Sequence, residues 1–293
     1  MDLSGQPPFM ASLLPVATRS LTQNRPALSA TRPLIVVNLC RMQGAESSNE
    51  WEVVKQRADG FWMNTAGTDS WPQIIEQFAN KNAYYEITPF AINKKMVDLT
   101  VREVAKRGGN AAASCFYFGD ENVPVQRWWR EDTMDVAKYL TSNVTPCITA
   151  LCSRNEWQVN GTDPANMGKE GPPRSDIGGG MHQASRCDGV CFEMSFEAWT
   201  NVETVRALRW CKANNKLFIL LAHTDKADVI GAVKKAVGEM KAMQLWPDII
   251  VPSNYGAGSI EGTDRRLPPV PEGVGADYPN TLTGMARYLI EAW

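Results

Sequence analysis

Histidine is nearly absent: His182 and His223 are the two in 293 residues. That scarcity leaves no H-E-x-x-H helix and no His-rich zinc site. A Walker loop, a G-x-S-x-G elbow and the Ser-His-Asp order are also missing. After the first apolar run, CRMQGAESS (40–48) stands where a dinucleotide-binding sheet would carry G-x-G-x-x-G, which counts against a doubly wound fold. No apolar stretch approaches the roughly 20 residues that span a bilayer. The formal net charge is −2 and no basic stripe is present, so neither a membrane nor a nucleic acid is an expected partner. Seven cysteines form an odd set without a dense framework. They fit small buried thiols in a reducing compartment, so a cytoplasmic setting is expected, with export the second choice. Cys187 and Cys191, four positions apart in one apolar run, are too far along a strand for a simple disulfide.

What the chain does have is a succession of short apolar runs with polar tips. They are LIVVN (34–38), DGFWMN (59–64), AYYEI (83–87), AAASCFYFGDEN (111–122), PCITALC (146–152), CDGVCFEM (187–194), LFILLAH (217–223) and PDIIVPSN (247–254). Helical periods lie between them at 71–80, 94–108, 129–143, 201–215, 226–243 and 280–292. Strand and helix in alternation predict parallel βαβ units. Right-handed crossovers would wind eight such units into a single (β/α)8 TIM-type barrel. The expected organisation is a flexible N-terminal arm over 1–32, rich in Ser, Thr, Pro, Leu and Gln, followed by one barrel domain over 33–293. Residues 153–186 and 254–279 have no helical period and abound in Gly, Pro, Asn and Asp. Both follow predicted strands, so they are expected as long loops at the C-terminal mouth of the barrel, where such folds keep their active sites.

The polar tips supply the candidate site. An acid inside an apolar strand is costly to bury without a partner, which puts Glu86 and Glu193 first. Asp120 and Glu121 follow the fourth run, Glu197 lies beyond the sixth, and His223 with Asp225 ends the seventh. Asn38, Asn64 and Asn254 are amides suited to binding hydroxyls, and Tyr255 adjoins the last of them. A salt bridge to Lys94, Arg154 or Lys226 is the structural competitor for the two embedded glutamates, and a helix cap or turn is that for Asp120 and Glu121. The chain holds 10 tryptophans. Several stand near predicted strand ends, among them Trp62, Trp71, Trp128, Trp129, Trp157, Trp199 and Trp246, where an indole face could stack on a sugar ring or stabilise a cation.

With carboxyls at several strand ends, aromatic platforms and amides at one mouth, the layout resembles the (β/α)8-barrel glycoside hydrolases. That resemblance implies hydrolysis or transglycosylation by paired carboxylates, one protonating the leaving oxygen and one attacking or activating water. Glu193 is the expected first carboxylate and Glu86 or Asp120 the second. No cofactor is implied, and the partner is a small-molecule or oligosaccharide substrate. The chain departs from the Asn-Glu at strand four and Glu at strand seven of that class: Gly119-Asp120-Glu121-Asn122 and His223-Thr224-Asp225 stand there instead. A second reading takes Glu86, Asp120, Glu193 and His223 as a shell for Mg²⁺ or Mn²⁺ in an isomerase, lyase or cyclase, acting on a diphosphate in one version. A third is a barrel that binds a ligand without turning it over.

Overall fold

The computed structural model describes residues 31–39, 49–64, 72–87, 94–107, 111–115, 147–152, 189–199, 202–223, 228–253 and 281–293. Strands are β1 Leu34–Asn38, β2 Gly60–Asn64, β3 Asn82–Ile87, β4 Ala111–Cys115, β5 Cys147–Cys152, β6 Gly189–Ser195, β7 Leu217–His223 and β8 Ile249–Pro252. Helices are α1 Trp51–Arg57, α2 Pro72–Glu76, α3 Lys94–Arg107, α4 Val202–Ala213, α5 Val229–Met243 and α6 Leu282–Ala292, with a 3-10 turn at Phe196–Ala198. Every apolar run of the sequence overlaps one of these strands. The expected helices over 71–80, 94–108, 201–215, 226–243 and 280–292 are present with trimmed ends. That over 129–143 lies outside the described residues, as do residues 1–30 of the expected arm over 1–32 and the loops over 153–186 and 254–279. Helix α1 was not expected. Cys187 precedes β6, which begins at Gly189, so the C-x3-C pair does not share the described strand. Among the described residues no helix is long and apolar enough to cross a membrane.

The chain divides into two compact units. One takes in 83–191 and contains nearly all of β3, with α3, β4, β5 and the first half of β6. Its ladders are parallel and run β3-β4-β5-β6: Glu86 is level with Ser114, Cys115 with Thr149 and Cys152 with Cys191. Tyr85 of β3 is fully buried and its hydroxyl donates to Glu103 of α3 at 3.4 Å. Burial pushes the Tyr85 phenol up to about 12; Arg107 opposes that rise and Glu103 adds to it.

The other unit takes in 28–63, 71–82 and 192–293. Its sheet is also parallel, in the order β2-β1-β8-β7. Strands β1, β7 and β8 are apolar and buried along nearly their whole length, the mark of a parallel sheet covered on both faces. Helix α5 buries Val229, Ile230, Val233, Ala236, Val237 and Met240, a stripe at the 3.6-residue period. It packs on α6, which in turn packs on α1, β1 and β8. Arg287 of α6 reaches Glu50 at 3.8 Å, just before α1, and Arg57 of α1 reaches Glu291 at 3.8 Å.

Local chemistry starts and stops these helices in matched pairs. Asp228 caps α5 by accepting from Gly231 N at 2.8 Å, and Thr281 caps α6 by accepting from Gly284 N at 2.9 Å. A Cβ on Gly231 would fall 2.0 Å from Asp228 Oδ2, so the cap and the glycine need each other. Helices α4 and α5 both end on a left-handed residue, Asn215 at φ 53° and Gln244 at φ 49°. Behind each, the next amide bonds back to the helix: Lys216 N to Cys211 O at 2.8 Å and Leu245 N to Met240 O at 3.0 Å. These are Schellman endings.

The amino ends of the strands are pinned in the same repeated manner. Asp59, just before β2, accepts from Ile35 N at 2.8 Å and donates its own amide to Ile35 O at 2.9 Å. Asp248, just before β8, accepts from Phe218 N at 2.8 Å and donates to Phe218 O at 2.9 Å. In both cases the partner is the second residue of the preceding strand in its βαβ unit. Asp59 also holds Arg32 by two hydrogen bonds of 2.6 Å, and that pairing raises the Arg32 guanidinium above its ordinary value against the effect of burial.

Candidate functional site

At the carboxyl edge of β2-β1-β8-β7, the register lines up one residue from each strand. Asn38 is level with Trp62. Leu34 is level with Ile249, and the same register carried four residues on sets Asn38 beside Ser253. Ala222 is level with Pro252, and Ser253 N donates to Ala222 O at 2.6 Å, which sets His223 beside Ser253. The row is therefore Trp62, Asn38, Ser253, His223, with neighbouring strands about 4.8 Å apart.

Pleat alternation decides which face the row occupies. Phe61, one residue before Trp62, packs on Phe78 with ring centroids 5.8 Å apart, and Trp51 of α1 joins the same ring at 5.6 Å. That is the helix-covered face. On β7, Phe218 packs on Phe192 and Trp199, and it lies an odd number of residues before His223. Trp62, Asn38, Ser253 and His223 thus share the opposite face.

Two members of the row are sealed and polar. Asn38 is 2% exposed and Ser253 0% exposed. Asn38 Oδ1 and Ser253 Oγ have no hydrogen-bond partner among the described residues. Buried polar atoms in native proteins are nearly always paired, so two neighbouring exceptions mark a place with unmet hydrogen-bonding capacity. Trp62 is fully buried beside them, and His223 is the partly exposed end of the row.

The candidates from sequence distribute as follows. Asn38, Trp62 and His223 come together in this row. Ser253 joins them and was missed; its signal was available, since stepping by two from Val251 keeps pace with Leu221 and His223 on β7. Glu197 lies on the 3-10 turn beyond β6, half-buried. Glu86 is on β3 and Glu193 on β6; they and Asn64 at the end of β2 are placed by backbone, and their side chains lie outside the described set. Asp120, Glu121, Asp225, Asn254 and Tyr255 lie outside the described residues. Trp199 is fully buried, with its ring edge-on to Phe218 at 6.5 Å. Trp246 pairs with Trp293 at 5.3 Å. Among the described residues no three His, Cys, Asp or Glu side chains come together as a metal would require.

No protein-family model matches the chain, and no curated protein matches it. Solved structures do. The N-terminal domain of a protein assigned as an aldolase from Bacteroides vulgatus is 11% identical, with 78% of this chain and 76% of that one covered and a TM-score of 0.46. The carboxyl transferase domain of Rhizobium etli pyruvate carboxylase, solved with pyruvate and biocytin, is 11% identical, covering 96% of this chain and 52% of that one at a TM-score of 0.42. The chain thus spans about half the length of the second. Neither likeness bears on function.

Proposed function

We propose that the fold is a (β/α)8 barrel and that the chain is an enzyme acting on a hydroxyl-rich small molecule at its carboxyl-terminal mouth. The alternation of strands β1 to β8 with helices supports that fold. The observation that carries the functional reading is the row Trp62, Asn38, Ser253, His223. It stands at the end of the strands where barrels of this class do chemistry, and it combines an indole, an amide, a hydroxyl and an imidazole.

The reaction these groups fit is hydrolysis or transfer of a glycoside. Glu193 of β6 is one carboxylate, and Glu86 of β3 or Asp120 the other. One protonates the departing oxygen while the other attacks the sugar or activates water. Asn38, Asn64 and Asn254 bind hydroxyls, and Trp62 offers an apolar wall.

The test compares the wild type with Glu193→Gln on a panel of 4-nitrophenyl glycosides and on oligosaccharides, with circular dichroism as the check on folding. Turnover should fall about 10³-fold, the scale of a lost general acid or base. Wild-type rates in the folded variant would remove Glu193 from the site. Activity that EDTA abolishes and Mg²⁺ or Mn²⁺ restores would replace this reading with the metal-dependent one, in which Glu86, Asp120, Glu193 and His223 hold the ion.

A further inference from the structure

We infer that Asn38 and Ser253 together form a subsite for a single neutral hydroxyl group of the substrate. This rests on the reading of the carboxyl edge as the substrate site and names what its floor recognises. Asn38 Oδ1 and Ser253 Oγ are both buried and both without a hydrogen-bond partner among the described residues. Their strands are direct neighbours, and the register sets the two residues side by side. At an interstrand spacing of about 4.8 Å, one oxygen atom at about 2.8 Å from each would bridge the two; both atoms are closed to solvent in the free protein, so the subsite opens as the ligand enters.

The donor and acceptor inventory selects the group. An amide oxygen only accepts, whereas a serine hydroxyl donates or accepts. A ligand hydroxyl donates its proton to Asn38 Oδ1 and accepts one from Ser253 Oγ, which satisfies both atoms at once. Ionised phosphate and carboxylate oxygens only accept, so they would set lone pairs against Asn38 Oδ1, and they would bring a net charge to two uncharged groups. A bare divalent cation would meet two uncharged oxygens, where hard cations favour carboxylates. The class of ligand is therefore a neutral polyol or sugar.

A site held ready for ligand leaves a thermal signature that a structural hydroxyl does not. If Ser253 Oγ is unpaired in the free protein, its removal relieves a buried unsatisfied group and costs no hydrogen bond. The experiment uses the full chain, as wild type and Ser253→Ala, in thermal melts and isothermal titration with D-glucose, D-xylose and glycerol, and with inorganic phosphate and MgCl2 as comparators. At least one of the three polyols is expected to bind the wild type, and Ser253→Ala to weaken it about five- to ten-fold, the scale of one neutral hydrogen bond. The ligand-free variant should melt at the wild-type temperature or about 2 °C above it. A lower melting temperature in Ser253→Ala, equal polyol affinity in the two proteins, no binding of any of the three polyols, or phosphate binding lost with Ser253 would each overturn the proposal. A Glu193→Gln protein that turns over at the wild-type rate would sink the carboxylate mechanism while leaving this subsite standing.

Discussion

The two edges of the β2-β1-β8-β7 sheet solve opposite problems. At the amino edge, Asp59 and Asp248 each take up an amide of the preceding strand, and Asp59 adds a two-pronged grip on Arg32. At the carboxyl edge, Asn38 and Ser253 are buried with polar atoms that no described group answers. A protein that optimised stability alone would treat both edges alike. The contrast sets hydrogen-bonding capacity used up at one end of the strands against capacity left unanswered among the described residues at the other.

Substitution at the amino edge gives the sharpest test. Asp59→Ala removes the Arg32 pair and strands the Ile35 amide, and should cost about 3 kcal/mol in urea unfolding. A loss below about 0.5 kcal/mol, the range of ordinary surface changes, would break the contrast. Asp248→Ala comes next, at about 2 kcal/mol. It strands the Phe218 amide in the same way, but its cation, Lys212, stands 3.9 Å away and exposed pairs of that kind contribute little. Equal losses at the two sites would show that the amide, and not Arg32, sets the cost.

The smallest effect lies in the other sheet. Burial raises the Tyr85 phenol to about 12 in the folded chain, above its ordinary value near 10. Its contribution is intact below pH 10 and declines as pH climbs from 10 towards 12, because the unfolded chain ionises first. Unfolding free energy measured from pH 9 to 11.5 should fall less steeply in Tyr85→Phe than in the wild type. Identical slopes would show that Tyr85 does not carry the decline.

Much of the fold was legible because continuous apolar runs such as LIVVN and LFILLAH say the same thing at every residue: buried on both faces. Helix α1 was not, since WEVVKQR is two turns long with Trp51 and Val54 its buried positions, too short for a period to stand out. The pins were invisible for a different reason. Asp59 and Asp248 stand at or near the starts of the runs DGFWMN and PDIIVPSN, but their role depends on backbone amides 24 and 30 residues away. The sequence places Asn38, Trp62 and His223 near strand ends, and the register sets them in one row. Ser253 was passed over because the larger Asn254 follows it; strand parity, not side-chain size, identifies it.

The Asp59 and Asp248 pins also bear on how the chain reaches this state. Each closes a loop no longer than one strand-helix-strand unit, and short closures come at low entropic cost. Parallel sheets otherwise fold slowly, because their pairings are distant in sequence. Two early-formed units would bring β1 and β2, and β7 and β8, into step before β1 finds β8 at the far end of the chain. A slip of one residue between paired strands would turn a whole row to the wrong face. By holding these strand pairs in register, the aspartates at the quiet edge bear on which side chains meet at the other.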